Sequence, residues 1–135
     1  MFLVKTILHA AVFSAAFFLS AQSPILTFKT GRVDAVDLSL KNQFEPFQID
    51  LNQSLSPNLL IATGAQGRIE SIVNDKIWRL GSEGMGTWYS DSNFWLNSGS
   101  ALFCTQNPQI IQFSTTESNA TFEGRGTIIL EATKN

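Results

Sequence analysis

Apolar and polar residues alternate along much of this chain in short runs, with a period of two. Alternation over about four to eight residues is typical of a β-strand that buries one face. In the first of these runs Val36, Leu38 and Leu40 are predicted to be buried, and Asp37 and Ser39 to face solvent. Further runs of this kind lie at 47–51, 94–96, 120–122 and 127–131.

Clusters of Gly, Pro, Asn and Ser separate these runs and predict turns between strands. Beyond the N-terminal leader, no segment repeats apolar positions at the spacing of a helix. Many short strands at roughly ten-residue spacing predict an all-β fold, an antiparallel β-sandwich or jelly-roll-like domain. The predicted turns lie at 56–58, 64–67, 74–75, 81–86, 97–99 and 107–108.

The N-terminal segment has the order of features of a secretory signal peptide. Lys5 supplies a positive start, 7–19 is mostly apolar, and small residues follow at 20–21. We predict a signal helix at 1–21 that is cleaved off, and one β domain at 22–135. The alternative is an uncleaved membrane anchor, although the apolar stretch is short for a spanning helix, which needs about 20 residues.

Charge and composition exclude several function classes. The net charge is −2 and no run of Lys or Arg occurs, so we predict no nucleic-acid partner. The single histidine, His9, lies in the predicted leader, so imidazole-dependent catalysis and the usual zinc sites are not expected after export. We therefore predict a protein that is not an enzyme and holds no cofactor or metal.

Cysteine and carboxylate chemistry each have a structural and a reactive interpretation. Cys104 is predicted to be a half-buried thiol at the end of a strand, and the alternative is a reactive thiol or an intermolecular bridge. Carboxylates would support glycosidase chemistry only if two converged in a cleft, and a solvated face is the simpler expectation. The candidates are Asp34, Asp37, Asp50, Glu70, Asp75, Asp91, Glu117 and Glu123.

Aromatic residues are the better functional lead. Trp88, Phe94 and Phe103 are predicted to belong to the core. Because strand neighbours point to opposite faces, Tyr89 and Trp95 are then predicted to face outward. Such rings combine contact area with a polar group, so this pair is a candidate surface for a protein or sugar partner. Burial under a second sheet is the alternative.

From Leu60 to Glu131 the chain resembles the FecR-type domain. The resemblance rests on the order of several spaced features, each of them short. In order they are Ile61-Ala62-Thr63-Gly64, Gly67-Arg68, the Asn74-Asp75 turn, Arg79-Leu80-Gly81, the run from Leu96 to Phe103 through Gly99, and Phe113-Ser114-Thr115 leading to Gly126-Thr127.

The resemblance implies an all-β, jelly-roll-like domain on the outer side of the inner membrane, with no catalytic residue. Members of this family can pass the state of an outer-membrane receptor to a sigma factor. Those members carry a cytoplasmic segment before a membrane helix, whereas only about six residues precede the apolar leader here. We therefore predict a stand-alone β domain that is periplasmic or secreted and contacts an envelope or receptor protein. The membrane would be contacted only through an uncleaved leader.

Two other hypotheses stay open. One is a membrane-anchored signalling regulator of the anti-sigma type, which requires the leader to be retained. The other is a carbohydrate-binding or carbohydrate-active β-sandwich protein, which requires an aromatic-lined groove and, for catalysis, two converging carboxylates.

Overall fold

The computed structural model describes residues 23–41, 45–90 and 92–132, and within them nine strands form one antiparallel sheet. This confirms the all-β antiparallel class, while the predicted signal helix at 1–21 lies outside the described residues. The described residues contain no helical segment that could span a membrane. The strands are β1 (Ile25–Thr30), β2 (Val33–Asp37), β3 (Phe47–Gln48), β4 (Leu59–Thr63), β5 (Arg68–Val73), β6 (Lys76–Leu80), β7 (Met85–Ser90), β8 (Asn93–Ser114) and β9 (Asn119–Ala132).

The sheet is curled so that its ends approach each other. Its hydrogen-bonded order is β1-β5-β6-β8-β7-β4-β2-β3, with β9 also paired to β8. β1 and β2 stand near opposite ends of this order, although only Gly31 and Arg32 separate them in the chain. Trp78 of β6 and Trp88 of β7 stack with ring centroids 5.4 Å apart. Trp78 lies opposite Phe103 of β8, and Trp88 lies opposite Phe94 of the same strand. If β8 were straight, the two tryptophans would be roughly 30 Å apart, so the sheet must fold into two facing layers.

Each layer contains part of the long strand β8. The first layer consists of β1, β5, β6, β9 and residues 100–105 of β8. The second consists of β7, β4, β2, β3 and residues 93–98 of β8. Because β8 belongs to both layers and bends between them, the two layers cannot separate unless this bend straightens or β8 breaks.

The chain crosses between the layers at a row of tight corners. The N–H of Gly64 donates to the carbonyl of Arg32 at 2.9 Å, and the N–H of Glu83 donates to the carbonyl of Gly64 at 3.0 Å. Gly99 has a φ of +82°, and a Cβ on it would lie 2.6 Å from the Cα of Gly84. Only glycine fits there, because both the φ and the close approach exclude a side chain. The corners lie at 31–32, 64–67, 81–84 and 99.

A second bend in β8 returns the β8–β9 hairpin over the core. The pairing of β8 with β9 shifts register between Thr105 and Gln109. Phe103 and Phe113 lie on either side of this bulge, and their ring centroids are 5.8 Å apart. Gly124, opposite the bulge in β9, has a φ of +132°, which lets the partner strand bend with β8.

The buried apolar side chains of both layers form one core. Its centre is a group of contacting rings, and these include the three that the sequence predicted to be buried, Trp88, Phe94 and Phe103. Aromatic pairs at such distances add to the stability that apolar burial alone provides. The contacting rings are Trp78, Trp88, Phe94, Phe103 and Phe113.

The face assigned to the first alternating run was wrong. β2 buries Val33 and Ala35, whereas Leu38 and Leu40 are 44% and 50% exposed. The strand ends at Asp37, whose carboxylate accepts hydrogen bonds from the hydroxyl and the backbone N–H of Ser39, at 2.6 and 2.9 Å. These bonds lower the pKa of Asp37 and turn the chain away from the sheet.

Two predicted turns were also wrong, because the chain continues through them as one strand. β8 runs for 22 residues and contains both 97–99 and 107–108. Gly99 serves a bend within the strand, and Pro108 lies in the bulge, where no ladder hydrogen bond is required of its nitrogen. The run at 47–51 is likewise mostly loop, since only Phe47–Gln48 pairs as a strand.

The edges of the sheet differ in how they are covered. The loop after β3 lies along β1: the N–H of Leu26 donates to the carbonyl of Gln53, and the N–H of Asn52 donates to the carbonyl of Leu26. β3 has only two residues. β9 has 14 residues and pairs with β8 alone among the described strands.

Candidate functional site

The outer surface of the first layer carries a row of side chains that crosses five strands. The register places Phe28 opposite Glu70, Glu70 opposite Arg79, Arg79 opposite Leu102, and Leu102 opposite Ile129. Residues directly opposite each other in a sheet share a face, so all five side chains point outward together. Their inward neighbours, such as Ile69 and Leu80, are fully buried.

A second row on the same surface is more apolar. Ile25 lies opposite Ile72, Ile72 opposite Ile77, Ile77 opposite Cys104, and Cys104 opposite Thr127. We call the two rows together the outer apolar face; its apolar members are Ile25, Phe28, Ile72, Ile77, Leu102 and Ile129. A sheet surface in solvent is normally polar, so this face departs from the usual alternation.

Exposure distinguishes this face from ordinary surface apolar residues. Phe28 is 47% exposed and Ile129 is 67% exposed. Both line one groove of about 600 Å³, together with Leu102 and the corner residues 81–82. Clustered exposed apolar side chains rimmed by polar groups mark interaction sites, whereas scattered ones do not.

One ion pair lies in the middle of the outer apolar face. The Nε of Arg79 lies 2.5 Å from Oε2 of Glu70, and the two side chains are 57% and 23% exposed. The pair keeps both charged groups satisfied where apolar neighbours surround them. Arg68, at the rim of the groove, is exposed and adds a further positive charge.

Tyr89 and Trp95 lie on the other layer, away from the outer apolar face. Tyr89 is 50% exposed and lies where the β7–β8 pairing shifts register. Trp95 is half-buried opposite Thr87. Both side chains point away from the core rings of Trp88 and Phe94. Among the described residues, the rings of Tyr89 and Trp95 are not in contact with each other. Their role in binding stays a prediction.

The cysteine and several of the carboxylates that the sequence offered as reactive groups lie within the sheet or form hydrogen bonds with neighbouring side chains. Cys104 is half-buried as expected, but it lies near the middle of β8 and not at a strand end. Asp34 accepts from Arg32 at 2.7 Å, and Asp75 accepts from the amide of Asn107 at 2.5 Å. Asp91 lies outside the described residues. Within 23–41, 45–90 and 92–132, no group of three or more His, Cys, Asp or Glu side chains is placed to hold a metal ion.

The outer apolar face was not foreseen from the sequence, although one signal for it exists. The run Ile128-Ile129-Leu130 has apolar residues at consecutive positions, which places them on both faces of a strand. Ile128 and Leu130 pack against the core, and Ile129 therefore faces solvent. Three consecutive apolar residues in an edge strand indicate that its outer surface is apolar too.

The chain matches no family model, and no curated protein or solved structure is significantly similar to it.

Proposed function

We propose that this chain is an exported, non-catalytic module that binds or senses another protein of the cell envelope through its outer apolar face. The observation that carries the proposal is the pair of rows whose exposed apolar members include Phe28, Leu102 and Ile129. Proteins in water seldom keep such a cluster exposed unless a partner covers it. The envelope setting rests on the leader at 1–21 and on the resemblance to the FecR-type domain.

The face has the composition expected of a protein contact. Its apolar side chains come from rigid strands, so little conformational freedom is lost on binding. The Arg79–Glu70 pair and Arg68 supply polar groups that fix orientation. Glu70 is the one carboxylate among the residues lining the groove, whereas a glycosidase site requires two.

A pull-down from an envelope extract tests the surface. The wild-type chain is compared with a Phe28→Ser/Ile129→Ser variant and with a Tyr89→Ser control, which alters an exposed ring on the opposite layer. We expect Tyr89→Ser to retain the partner and the double variant to lose it by tenfold or more, since buried apolar anchors contribute about 1–2 kcal/mol each.

The controls separate this proposal from its alternatives. Both replaced side chains face solvent, so we expect the double variant to keep its fold. Circular dichroism checks this. Equal retention by all three proteins would exclude the outer apolar face, and loss in Tyr89→Ser alone would identify the Tyr89–Trp95 surface. Specific retention on a glycan array would favour carbohydrate binding instead.

The export step has its own test. Mass spectrometry of the native protein should give an N-terminus at Gln22. An intact Met1 would support the membrane-anchored signalling regulator, and the contact surface could then still be tested by the pull-down.

A further inference from the structure

Strand β9 presents an open edge that pairs with no other described strand. Its residues from Gly126 to Ala132 pair with β8 on one side only. Phe122, Ile128 and Leu130 point toward the core but stay half-buried, so the layer above covers them incompletely. Long open edges with apolar side chains readily accept another strand.

The direction of the free backbone groups follows from one hydrogen bond. The carbonyl of Ser100 accepts from the N–H of Gly81 at 2.9 Å, so Ser100 directs its backbone groups toward β6. Successive strand residues direct these groups to alternate sides, so Ala101 faces β9 and bonds its partner Leu130. By the same alternation, Thr127 and Ile129 direct their N–H and C=O groups to the open edge.

The sequence of this edge is complementary to itself in the antiparallel register centred on Ile128. If Ile128 lies opposite Ile128 of a second copy, Arg125 lies opposite Glu131 twice, and Thr127 lies opposite Ile129 twice. A register centred on Thr127 would instead place Glu123 opposite Glu131, where like charges repel. A register centred on Gly124 would place the bend at 124–126 in the middle of the pairing, whereas the register centred on Ile128 reaches this bend only at its two ends.

We propose that β9 pairs antiparallel with β9 of a second copy of this chain, centred on Ile128. The two copies of Arg125 and Glu131 form cross-strand ion pairs, and the two Ile128 side chains cover each other beside the core. The first layers of the two copies then join into one continuous sheet, with their outer apolar faces side by side. This inference stands on the open edge and does not depend on the proposed envelope partner.

Sedimentation equilibrium of the exported chain, over about a hundredfold range of concentration, tests the association. We expect twice the monomer mass at the upper end. Thr127→Pro removes an edge N–H that is free in the monomer, so the variant should keep its circular dichroism and stay monomeric. A wild-type chain that is monomeric throughout would overturn the proposal.

Charge reversal tests the register. Arg125→Glu places two Glu side chains opposite each other twice and should weaken dimerisation by about tenfold or more. Arg125→Glu combined with Glu131→Arg restores opposite charges and should return the dissociation constant to within about threefold of wild type. A dimer that responds to neither change uses another surface, and the proposal would then be wrong.

A single-cysteine cross-link gives a geometric test. In a Cys104→Ser background, Ile128→Cys should form a disulfide dimer on mild oxidation, because opposed residues of a non-hydrogen-bonded pair lie within disulfide reach. Leu130→Cys is the matched control on the same side of the strand. Its two copies would be about 13 Å apart, so it should not cross-link. Equal cross-linking of both variants would contradict the register.

The outcomes separate the two proposals. A monomeric chain that still binds an envelope protein through Phe28 and Ile129 would overturn only the dimer. A dimer whose outer apolar face captures nothing would overturn only the partner-binding function. The wild-type chain could also be monomeric and bind a strand of another protein through β9, with Thr127→Pro abolishing that binding. The partner of the edge would then be another protein and not a second copy.

Discussion

Thr63 and Thr87 are both buried, but their hydroxyl groups have different surroundings. The hydroxyl of Thr63 donates to the carbonyl of Gly81 at 2.5 Å and accepts from the N–H of Gly84 at 2.8 Å. It thereby ties β4 to the 81–84 corner. The hydroxyl of Thr87, which is 1% exposed, has no hydrogen-bond partner in the described part of the structure. A polar group buried in this way costs free energy of folding.

The two threonines should therefore respond oppositely to replacement by valine. Thr63→Val leaves the N–H of Gly84 without its acceptor and should lower the free energy of unfolding by about 1–3 kcal/mol. Thr87→Val removes a hydroxyl that bonds nothing and should raise it by about 1 kcal/mol. Urea denaturation of the two variants measures both effects. Changes of the same sign would show that Thr87 has a partner, such as a buried water.

At the scale of elements, β8 determines the architecture through its two bends. The first bend depends on Gly99, where a side chain would meet both an unfavourable φ and the backbone of Gly84. The second depends on the bulge at 105–109 and on Gly124 and Gly126 in the partner strand. Gly126 has a φ of +133°, but no atom lies within 4 Å of where its Cβ would be.

Comparison of two glycine variants separates backbone strain from steric overlap. Gly126→Ala should cost about 1–3 kcal/mol, because only the φ is unfavourable. Gly99→Ala adds the overlap with the Cα of Gly84 and should cost at least about 1 kcal/mol more than Gly126→Ala. Thermal unfolding followed by circular dichroism gives the ranking. Equal costs would mean that the corner relaxes to admit a methyl group.

Local sequence patterns predicted where strands lie more accurately than where one strand ends and the next begins. Alternation at 94–96 correctly placed Phe94 and Leu96 inward, because one side of that strand is buried and the period of two is strict. Gly99 and Pro108 were interpreted as turns, since a glycine or proline signals a change of direction whether the chain reverses or bends. The choice depends on β6, β7 and β9, which pair with β8 from elsewhere in the chain.

The outer apolar face was harder to foresee than the core for a similar reason. Each of its two rows takes one residue from each of five strands, and only the register brings Phe28 and Ile129 onto one surface. The outward directions of Tyr89 and Trp95 follow from local alternation and could be predicted. A surface assembled across strands requires pairings that no single segment encodes.

At the scale of the whole molecule, the Trp78–Trp88 stack reports whether the layers are closed. The rings are nearly parallel, with an interplanar angle of 7° and centroids 5.4 Å apart. Trp78 belongs to the first layer and Trp88 to the second, so their contact exists only when the sheet is folded on itself. One core shared by both layers predicts a single cooperative unfolding transition.

The coupled indoles should give an exciton couplet in the far-ultraviolet circular dichroism of the native protein. Trp88→Phe should abolish the couplet, whereas Trp95→Phe, which alters a ring outside the stack, should leave it. During denaturation the couplet and the β-sheet signal should disappear together, because closure and strand pairing depend on the same core. Loss of the couplet first would show that the layers open before the strands separate.

The order in which strands occur in the chain has a consequence for its synthesis. β8 pairs with β6, β7 and β9, yet it spans Asn93–Ser114, in the last third of the sequence. A ribosome delivers β1 to β7 first, and these strands can pair as two separate groups, β1-β5-β6 and β7-β4-β2-β3, which only β8 joins. Completion of the native state therefore waits for nearly the entire polypeptide. If the chain is exported as proposed, this late completion keeps it unfolded while it passes through a translocation channel.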